Sequence, residues 1–186
     1  MTSPFAFQGG TPAHLSPQEC NAIVGAAPEP WATFFDLLWQ TGLRVSEALG
    51  VRKDDIGEDW LRVRRLKRSK EFVDRVPLQA ALRARLLLRR AGKGRPLFPY
   101  SRSGAWRALR SAAVKAGIDP HTVHPHIFRH SFAIFMGEEL ERVMPHLAAR
   151  SVLQALLGHA NAATTDVYLR RNWEEVVEAH RQVRFR

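Results

Sequence analysis

The chain has 186 residues, of which 28 are Lys or Arg and 18 are Asp or Glu, so its formal net charge is +10. Such a basic excess is typical of proteins that bind nucleic acid, and less often of proteins that bind anionic membrane surfaces. A single cysteine, Cys20, excludes an internal disulfide and a zinc site built from several cysteines. No apolar run approaches the length of a membrane span, and the start of the chain lacks a secretion signal. We therefore expect a soluble intracellular protein without a membrane partner.

The first part of the chain predicts a flexible leader followed by three helices. Residues 1–14 are rich in Gly, Pro, Thr and Ser, which is typical of a loose segment. Ser16 and Pro17 then have the residue types preferred at the N-cap and at the first position of a helix. A strongly apolar helix follows and ends at Gly42, and a short helix after it closes at Gly50.

The periodicity changes in the stretch DWLRVRRLKRSKEFVDRVPL, residues 59–78. Leu61 and Val63 alternate with Arg62 and Arg64, which predicts a β-hairpin with a charged tip. Helical patterns return beyond it, and the breaks that separate them are a Gly/Pro-rich loop and two glycines: residues 92–104, Gly117 and Gly158. The sequence predicts one domain over residues 15–186 that is mainly α with a small antiparallel β-sheet, an α+β fold.

A histidine-rich stretch, HPHIFRHSFAIF at residues 124–135, combines an apolar helix face with a cationic one. His126, Arg129 and His130 fall at positions i, i+3 and i+4, so they share one face. Cationic donors that lie against a core are costly unless an anion meets them. This helix is therefore predicted to bind an anion.

Other groups of the chain suit the same chemistry. Arg44 follows a helix-ending glycine, Lys67 and Lys70 lie near the hairpin tip, His159 is in an LGH motif, and Tyr168 follows nine residues later. The guanidinium group of an arginine can bind two phosphate oxygens at once, and histidine can hydrogen-bond the same oxygens or transfer protons. Lysine can protonate a leaving alkoxide, and tyrosine can attack phosphorus. Together these groups indicate metal-free phosphoryl transfer from DNA.

The order and local sequence of these motifs resemble those of the tyrosine site-specific recombinases, the integrases of the phage lambda type. Members of that family carry TGLR-x-x-E in one helix, a lysine on a hairpin, H-x-x-R in another helix, and LGH followed by TT-x-x-Y. The resemblance runs from about Leu15 to Arg170. It implies the fold of the recombinase catalytic domain, double-stranded DNA as partner, and strand cleavage and rejoining without ATP, cofactor or essential metal.

The resemblance also implies a role for each matching residue. Arg44 and Arg129 would hold the non-bridging oxygens of the scissile phosphate. His126 would help the proton leave the tyrosine or bond a phosphate oxygen, and His159 would be a second phosphate donor. Tyr168 would be the nucleophile and form a 3′-phosphotyrosyl link.

Lys67 is the preferred general acid, near the end of the first hairpin strand. The hairpin is about two residues longer than is usual in the family, so Lys70, expected on the turn, remains an alternative, and either lysine could instead be a solvated contact to the DNA backbone. We expect Glu47 to orient Arg44 or a nearby backbone group. His130 is expected to be structural and to bond backbone or a neighbouring loop.

The resemblance further implies assembly into a synaptic tetramer on DNA, from a protein that is monomeric when free and is located in the cytoplasm with the nucleoid. Most family members carry an N-terminal core-binding domain ahead of the catalytic one. We expect that domain to be absent here, which fits either an excised catalytic domain or a short recombinase. An apolar stripe on the last helix could dock on a neighbouring protomer or on its own domain; its residues are Trp173, Val176, Val177 and His180. Two other functions remain open: a DNA-binding accessory protein of a mobile element, and a relaxing topoisomerase with the same chemistry.

Overall fold

The computed structural model describes residues 14–67, 70–124, 126–158, 173–183 and 185. This part of the chain contains eight α-helices, a short 3₁₀ helix and one two-stranded antiparallel sheet, so the expected fold class is confirmed. The elements in chain order are α1 (Pro17–Ala26), α2 (Trp31–Thr41), α3 (Val45–Leu49), the 3₁₀ helix (Lys53–Asp55), β1 (Trp60–Lys67), β2 (Lys70–Pro77), α4 (Ala80–Leu88), α5 (Arg102–Lys115), α6 (Ile127–Val143), α7 (His146–Leu156) and α8 (Trp173–Gln182). Of the expected leader, residues 1–13 lie outside the described residues.

Two of the predicted helix ends have clear physical causes. At the start of α1, the hydroxyl of Ser16 accepts a hydrogen bond from the backbone of Glu19 at 3.2 Å, and the Glu19 carboxylate accepts one from the Ser16 backbone at 2.8 Å. At the end of α2, Gly42 has a φ of 62°, and a Cβ there would overlap the ring of Phe132. Glycine at this position therefore lets the chain turn sharply against α6.

Helix α6 lies at the centre of the core. It packs against α2, α7 and α8, and it buries an aromatic side that includes Phe128 and Phe132. The ring of Phe128 stacks on Phe35 of α2, and the ring of Phe132 stacks on Phe185. No helix in the described ranges is long and apolar enough to cross a membrane.

The hairpin forms as predicted, with β1 and β2 paired from Trp60 opposite Pro77 to Lys67 opposite Lys70. Leu61 and Val63 are buried, as the alternation predicts. Lys70, which was expected on the turn, is instead the first residue of β2, because the two strands stay in register out to the lysine pair.

Helix α8 packs on its own domain, which was one of the two alternatives for the C-terminal stripe. Val176, Val177 and His180 are buried there, and α8 contacts α6 and β2. The Nε2–H of His180 donates to the backbone oxygen of Gln40 at 2.5 Å. Complete burial lowers the pKa of His180 to about 4, so its imidazole is neutral inside the core.

Candidate active site

Arg129 joins three elements of the fold. It lies in the first turn of α6 and is only 7% exposed. Its Nη1 donates to the backbone oxygen of Gly42 at 2.8 Å, and its Nη2 donates to the backbone oxygen of Leu157, just after α7. Burial and the positive charge of Arg44 lower the pKa of Arg129 to about 10. The guanidinium is therefore held beside a second cation in a partly dehydrated site.

Arg44 occupies the turn between α2 and α3, as the N-cap of α3. The carboxylate of Glu47 accepts one hydrogen bond from the Arg44 backbone and one from its Nη1, both at 2.9 Å. The expectation that Glu47 orients Arg44 is confirmed. The Arg44 side chain remains 40% exposed, whereas that of Glu47 is 7% exposed, so the oriented guanidinium is open to an incoming ligand.

His126 is the residue immediately before α6 and is exposed. Its backbone N–H donates to Nδ1 of His124 at 3.2 Å. Partial burial lowers the pKa of the His126 imidazole, and so do the nearby charges of Arg129 and Arg44. The neutral form that this favours can accept a proton. The structure therefore places Arg44, His126 and Arg129 near enough for their charges to interact. Their catalytic roles remain predictions.

His130 packs against a neighbouring ring rather than bonding the backbone through Nδ1. Its ring centroid lies 5.2 Å from that of His124. Within the described residues, its buried Nδ1 has no hydrogen-bond partner. The expected bond to backbone or loop is thus not made by this nitrogen.

Arg65 of β1 is a component of the site that the sequence reading missed. It is 2% exposed, and its Nη2 donates to the backbone oxygen of Leu156 at 2.6 Å. Its Nε lies 3.3 Å from Oδ2 of Asp74 and 4.0 Å from Oε1 of Glu47. The alternation of β1 could have identified it, because Arg65 follows Leu61 and Val63 at spacing two and so falls on the buried face.

The structure places the backbones of Lys67 and Lys70 opposite each other at the end of the hairpin. It does not describe their side chains, so the choice of general acid remains a prediction. His159 and Tyr168 lie outside the described residues, which resume at Trp173. The nearest described residue to His159 is Gly158, whose backbone N–H bonds the end of α7.

The surroundings of the site are rich in arginine. A cavity of about 280 Å³ between α3 and β1 is lined by Glu47, Asp55 and four arginines: Arg52, Arg62, Arg64 and Arg65. On the other side, Arg102 at the start of α5 is close enough to help lower the pKa of His126. Among the described residues, no group of three His, Cys, Asp or Glu side chains is placed to hold a metal ion.

Comparison with protein families gives a match to the phage integrase family over residues 14–175. This span contains every residue of the candidate site. The chain belongs to the phage integrase family.

Curated relatives are tyrosine recombinases of the Xer type. The chain is 35% identical over 191 residues to tyrosine recombinase XerD of Corynebacterium glutamicum, covering 89% of this chain and 59% of the relative. It is 36% identical to tyrosine recombinase XerA of Pyrococcus furiosus, covering 77% of this chain and 51% of the relative. The chain thus spans about half the length of the curated relatives it matches.

Solved structures share the fold. The XerA recombinase structure matches with a TM-score of 0.63 and 26% identity, covering 92% of this chain and 65% of that one. The catalytic domain of bacteriophage HP1 integrase matches with a TM-score of 0.58 and 20% identity, covering 85% of both chains.

Proposed function

We propose that the chain is the catalytic domain of a site-specific recombinase, which cleaves and rejoins double-stranded DNA through a 3′-phosphotyrosyl intermediate on Tyr168. The observation that carries the proposal is the convergence of Arg44, His126 and Arg129 at the junction of α3, α6 and α7. One guanidinium group can bind two phosphate oxygens at once, and it stays charged. The relatives named tyrosine recombinases support DNA as the source of that phosphate.

The arginines have donors available for this task. A guanidinium has five N–H groups. The described bonds of Arg129 to Gly42 and Leu157 use two of them, and that of Arg44 to Glu47 uses one. The remaining donors would hold the non-bridging oxygens and stabilise the negative charge that develops on them during displacement. The bonds to Gly42, Leu157 and Glu47 orient the donors before DNA binds.

Cleavage exchanges one phosphodiester for another. The oxygen of Tyr168 attacks phosphorus, the bond from phosphorus to O5′ breaks, and the tyrosine proton passes to neutral His126. Lys67 protonates the leaving 5′ oxygen, and His159 donates to the phosphate. Rejoining reverses these steps with the 5′-hydroxyl as nucleophile, so neither ATP nor a metal ion or cofactor is needed.

The exposed surface supports DNA binding. Trp106 on α5 is 45% exposed, with the Arg110 guanidinium 5.8 Å from its ring centroid, and Arg107 lies on the same helix. Arg52 and Arg62 line the cavity beside Glu47. Multiple arginine contacts to phosphate release counterions, so affinity should fall steeply with salt. A solved relative, XerH, is described as bound to its palindromic difH substrate in a post-cleavage complex. A DNA substrate would place the protein with the nucleoid in the cytoplasm.

Assembly into a tetramer that brings two DNA sites together belongs to the same proposal. The packing of α8 on its own domain supports a monomer in the absence of DNA. Sedimentation analysis should give the monomer mass without DNA and four chains per complex on duplexes that carry the cleavage site. A stable dimer without DNA would contradict this part of the proposal.

The function can be tested without knowledge of the target site. The protein is incubated with a pool of nicked suicide duplexes of randomised sequence, and members trapped in SDS-resistant adducts are sequenced. We expect a defined site to emerge. Binding without any adduct would indicate an accessory protein, and relaxation of a plasmid carrying the site without exchange between two copies would indicate a topoisomerase.

A further inference from the structure

Arg65 is a buried cation that the chemistry proposed above does not use. Burial lowers its pKa, although the nearby carboxylates of Glu47 and Asp74 act in the opposite direction. A buried charge is costly unless it is paired and hydrogen-bonded. The contacts of Arg65 therefore show which parts of the fold its buried charge holds in place.

On one side, Arg65 binds the C-terminal end of α7. Its guanidinium donates to the backbone oxygens of Ala155 at 3.4 Å and Leu156 at 2.6 Å, and Arg129 takes the next oxygen, that of Leu157. The last carbonyls of a helix lack partners within the helix and attract cations. Two arginines from different elements thus share three successive carbonyls.

The backbone of Gly158 lies in close contact with the same side chain. It has a φ of 68°, and a Cβ at this position would overlap the guanidinium of Arg65. Glycine is therefore required for the conformation and also for the close approach of Arg65. The next residue in the chain is His159, so Arg65 lies directly against the backbone that leads to it.

On its other side, Arg65 faces carboxylates of two further elements. Its Nε lies 3.3 Å from Asp74 of β2 and 4.0 Å from Glu47 of α3. Glu47 in turn orients Arg44. One side chain consequently connects the hairpin, the support of Arg44 and the end of α7.

We propose that Arg65 is a positioning residue for DNA cleavage, which holds the α7 terminus so that Arg129 and His159 meet the scissile phosphate in the correct geometry. The inference rests on the proposed function. Arg65 does not contact the phosphate itself, because its side chain is 1% exposed. Misplacing a catalytic group by about 1 Å costs on the order of a hundredfold in rate.

The test compares Arg65→Met with Arg85→Met on the duplex recovered from the suicide pool. Arg85 is the matched control, since it also pairs with a buried carboxylate, Asp36, at 2.5 Å but in the α2–α4 region. At a temperature where both variants are folded by circular dichroism, Arg65→Met should cleave about a hundredfold more slowly at saturating DNA. Its affinity for the duplex should stay within about threefold of the parent, and Arg85→Met should cleave at the parent rate. Arg65→Lys, which keeps the charge but cannot bind both carbonyls, serves if the methionine variant does not fold, and it should also cleave slowly.

A double-mutant cycle with His159→Ala separates positioning from general stability. If Arg65 acts by placing His159, the histidine substitution should slow cleavage much less in the Arg65→Met background than in the parent or in Arg85→Met. Additive effects, near-parental cleavage by Arg65→Met, or a parallel loss of cleavage and DNA affinity would each overturn the inference. If the parent itself forms no adduct, the proposed function fails first, and that result is distinct from all of these.

Discussion

Two ion-pair clusters of this domain combine arginines and carboxylates in different proportions. Between α2 and α4, Arg85 binds the buried carboxylate of Asp36 at 2.5 Å and that of Glu29 at 2.9 Å. Around the α7 terminus, Arg44, Arg65 and Arg129 share two carboxylates among the described residues. The two carboxylates belong to Glu47 and Asp74. Among the described residues, the first cluster has one arginine for two carboxylates, whereas the second has three arginines for two carboxylates and so an excess of positive charge.

The pKa shifts reflect this difference. Burial alone would raise the pKa of Glu29, but hydrogen bonds from Thr33 and Arg85 bring it below its ordinary value. In the other cluster, burial and Arg44 together lower the pKa of Arg129. A cluster in which carboxylates already surround the arginine has no need of a further anion, whereas one with excess positive charge becomes more favourable when an anion binds. This difference supports the proposal that the cluster around the α7 terminus binds the scissile phosphate.

The largest effect is expected at the hairpin that borders the cluster with excess positive charge. If Lys67 is the general acid, Lys67→Ala should slow cleavage by about a hundredfold to ten-thousandfold, because the 5′-alkoxide is a poor leaving group. A substrate with sulfur in place of the bridging 5′ oxygen should restore the rate, since a thiolate leaves without protonation.

Lys70→Ala is the matched control, because Lys70 pairs with Lys67 in the hairpin. It should lose only some DNA affinity. Sulfur rescue of the Lys70 variant alone would reverse the assignment, and rescue of neither variant would move the acid elsewhere.

The second prediction compares the substitution of one arginine from each cluster. Arg44→Ala should slow cleavage by on the order of a hundredfold or more, since it removes an oriented donor to developing charge. Its unfolding free energy should fall by less than about 1 kcal/mol, because the side chain is 40% exposed. Arg85→Ala should cleave normally at low temperature but lose about 3 kcal/mol, because Asp36 would remain buried without this partner. Denaturant unfolding and single-turnover cleavage measure the two quantities, and the same pattern in both variants would refute the distinction.

The third prediction concerns stability rather than cleavage, at the buried imidazole of His180. Its pKa is about 4 in the folded protein and 6.5 as its ordinary value, so the unfolded chain binds the extra proton between these pH values. Its contribution to stability is complete above pH 6.5 and is lost as the pH falls toward 4, by about 3 kcal/mol in total. His180→Gln should show a weaker decline over this range than the parent, and exposed His121→Gln should match the parent. Equal declines in all three would show that His180 does not titrate as described.

The sequence predicted the α-helices, the hairpin and the contact between Arg44 and Glu47, because these depend on local patterns. Ser16, Gly42 and Gly158 mark helix ends through capping and left-handed geometry, and Glu47 lies three residues after Arg44, where a first-turn carboxylate reaches the N-cap backbone. Tertiary packing could not be predicted in the same way. Whether the stripe on α8 docks on its own domain depends on a hydrogen bond between His180 and Gln40, which lie 140 positions apart.

The β1 alternation predicted the buried positions of Leu61 and Val63 but was not extended to Arg65. In the sequence it belongs to a run of basic residues, which normally indicates a solvated surface. Its spacing from Leu61 and Val63 indicated the buried face, but its partners are carbonyls about 90 residues away. No pattern in the sequence near Arg65 predicts that these carbonyls are its partners. The positions of His159 and Tyr168 remain predictions, because they lie outside the described residues.

The most direct test of the account is the covalent link to Tyr168. On the duplex recovered from the suicide pool, the parent should form an SDS-resistant adduct in the presence of excess chelator, and peptide mapping should place the DNA on Tyr168. Tyr168→Phe should bind the duplex with parental affinity and form no adduct. An adduct that persists in Tyr168→Phe, or that requires added magnesium, would contradict the account.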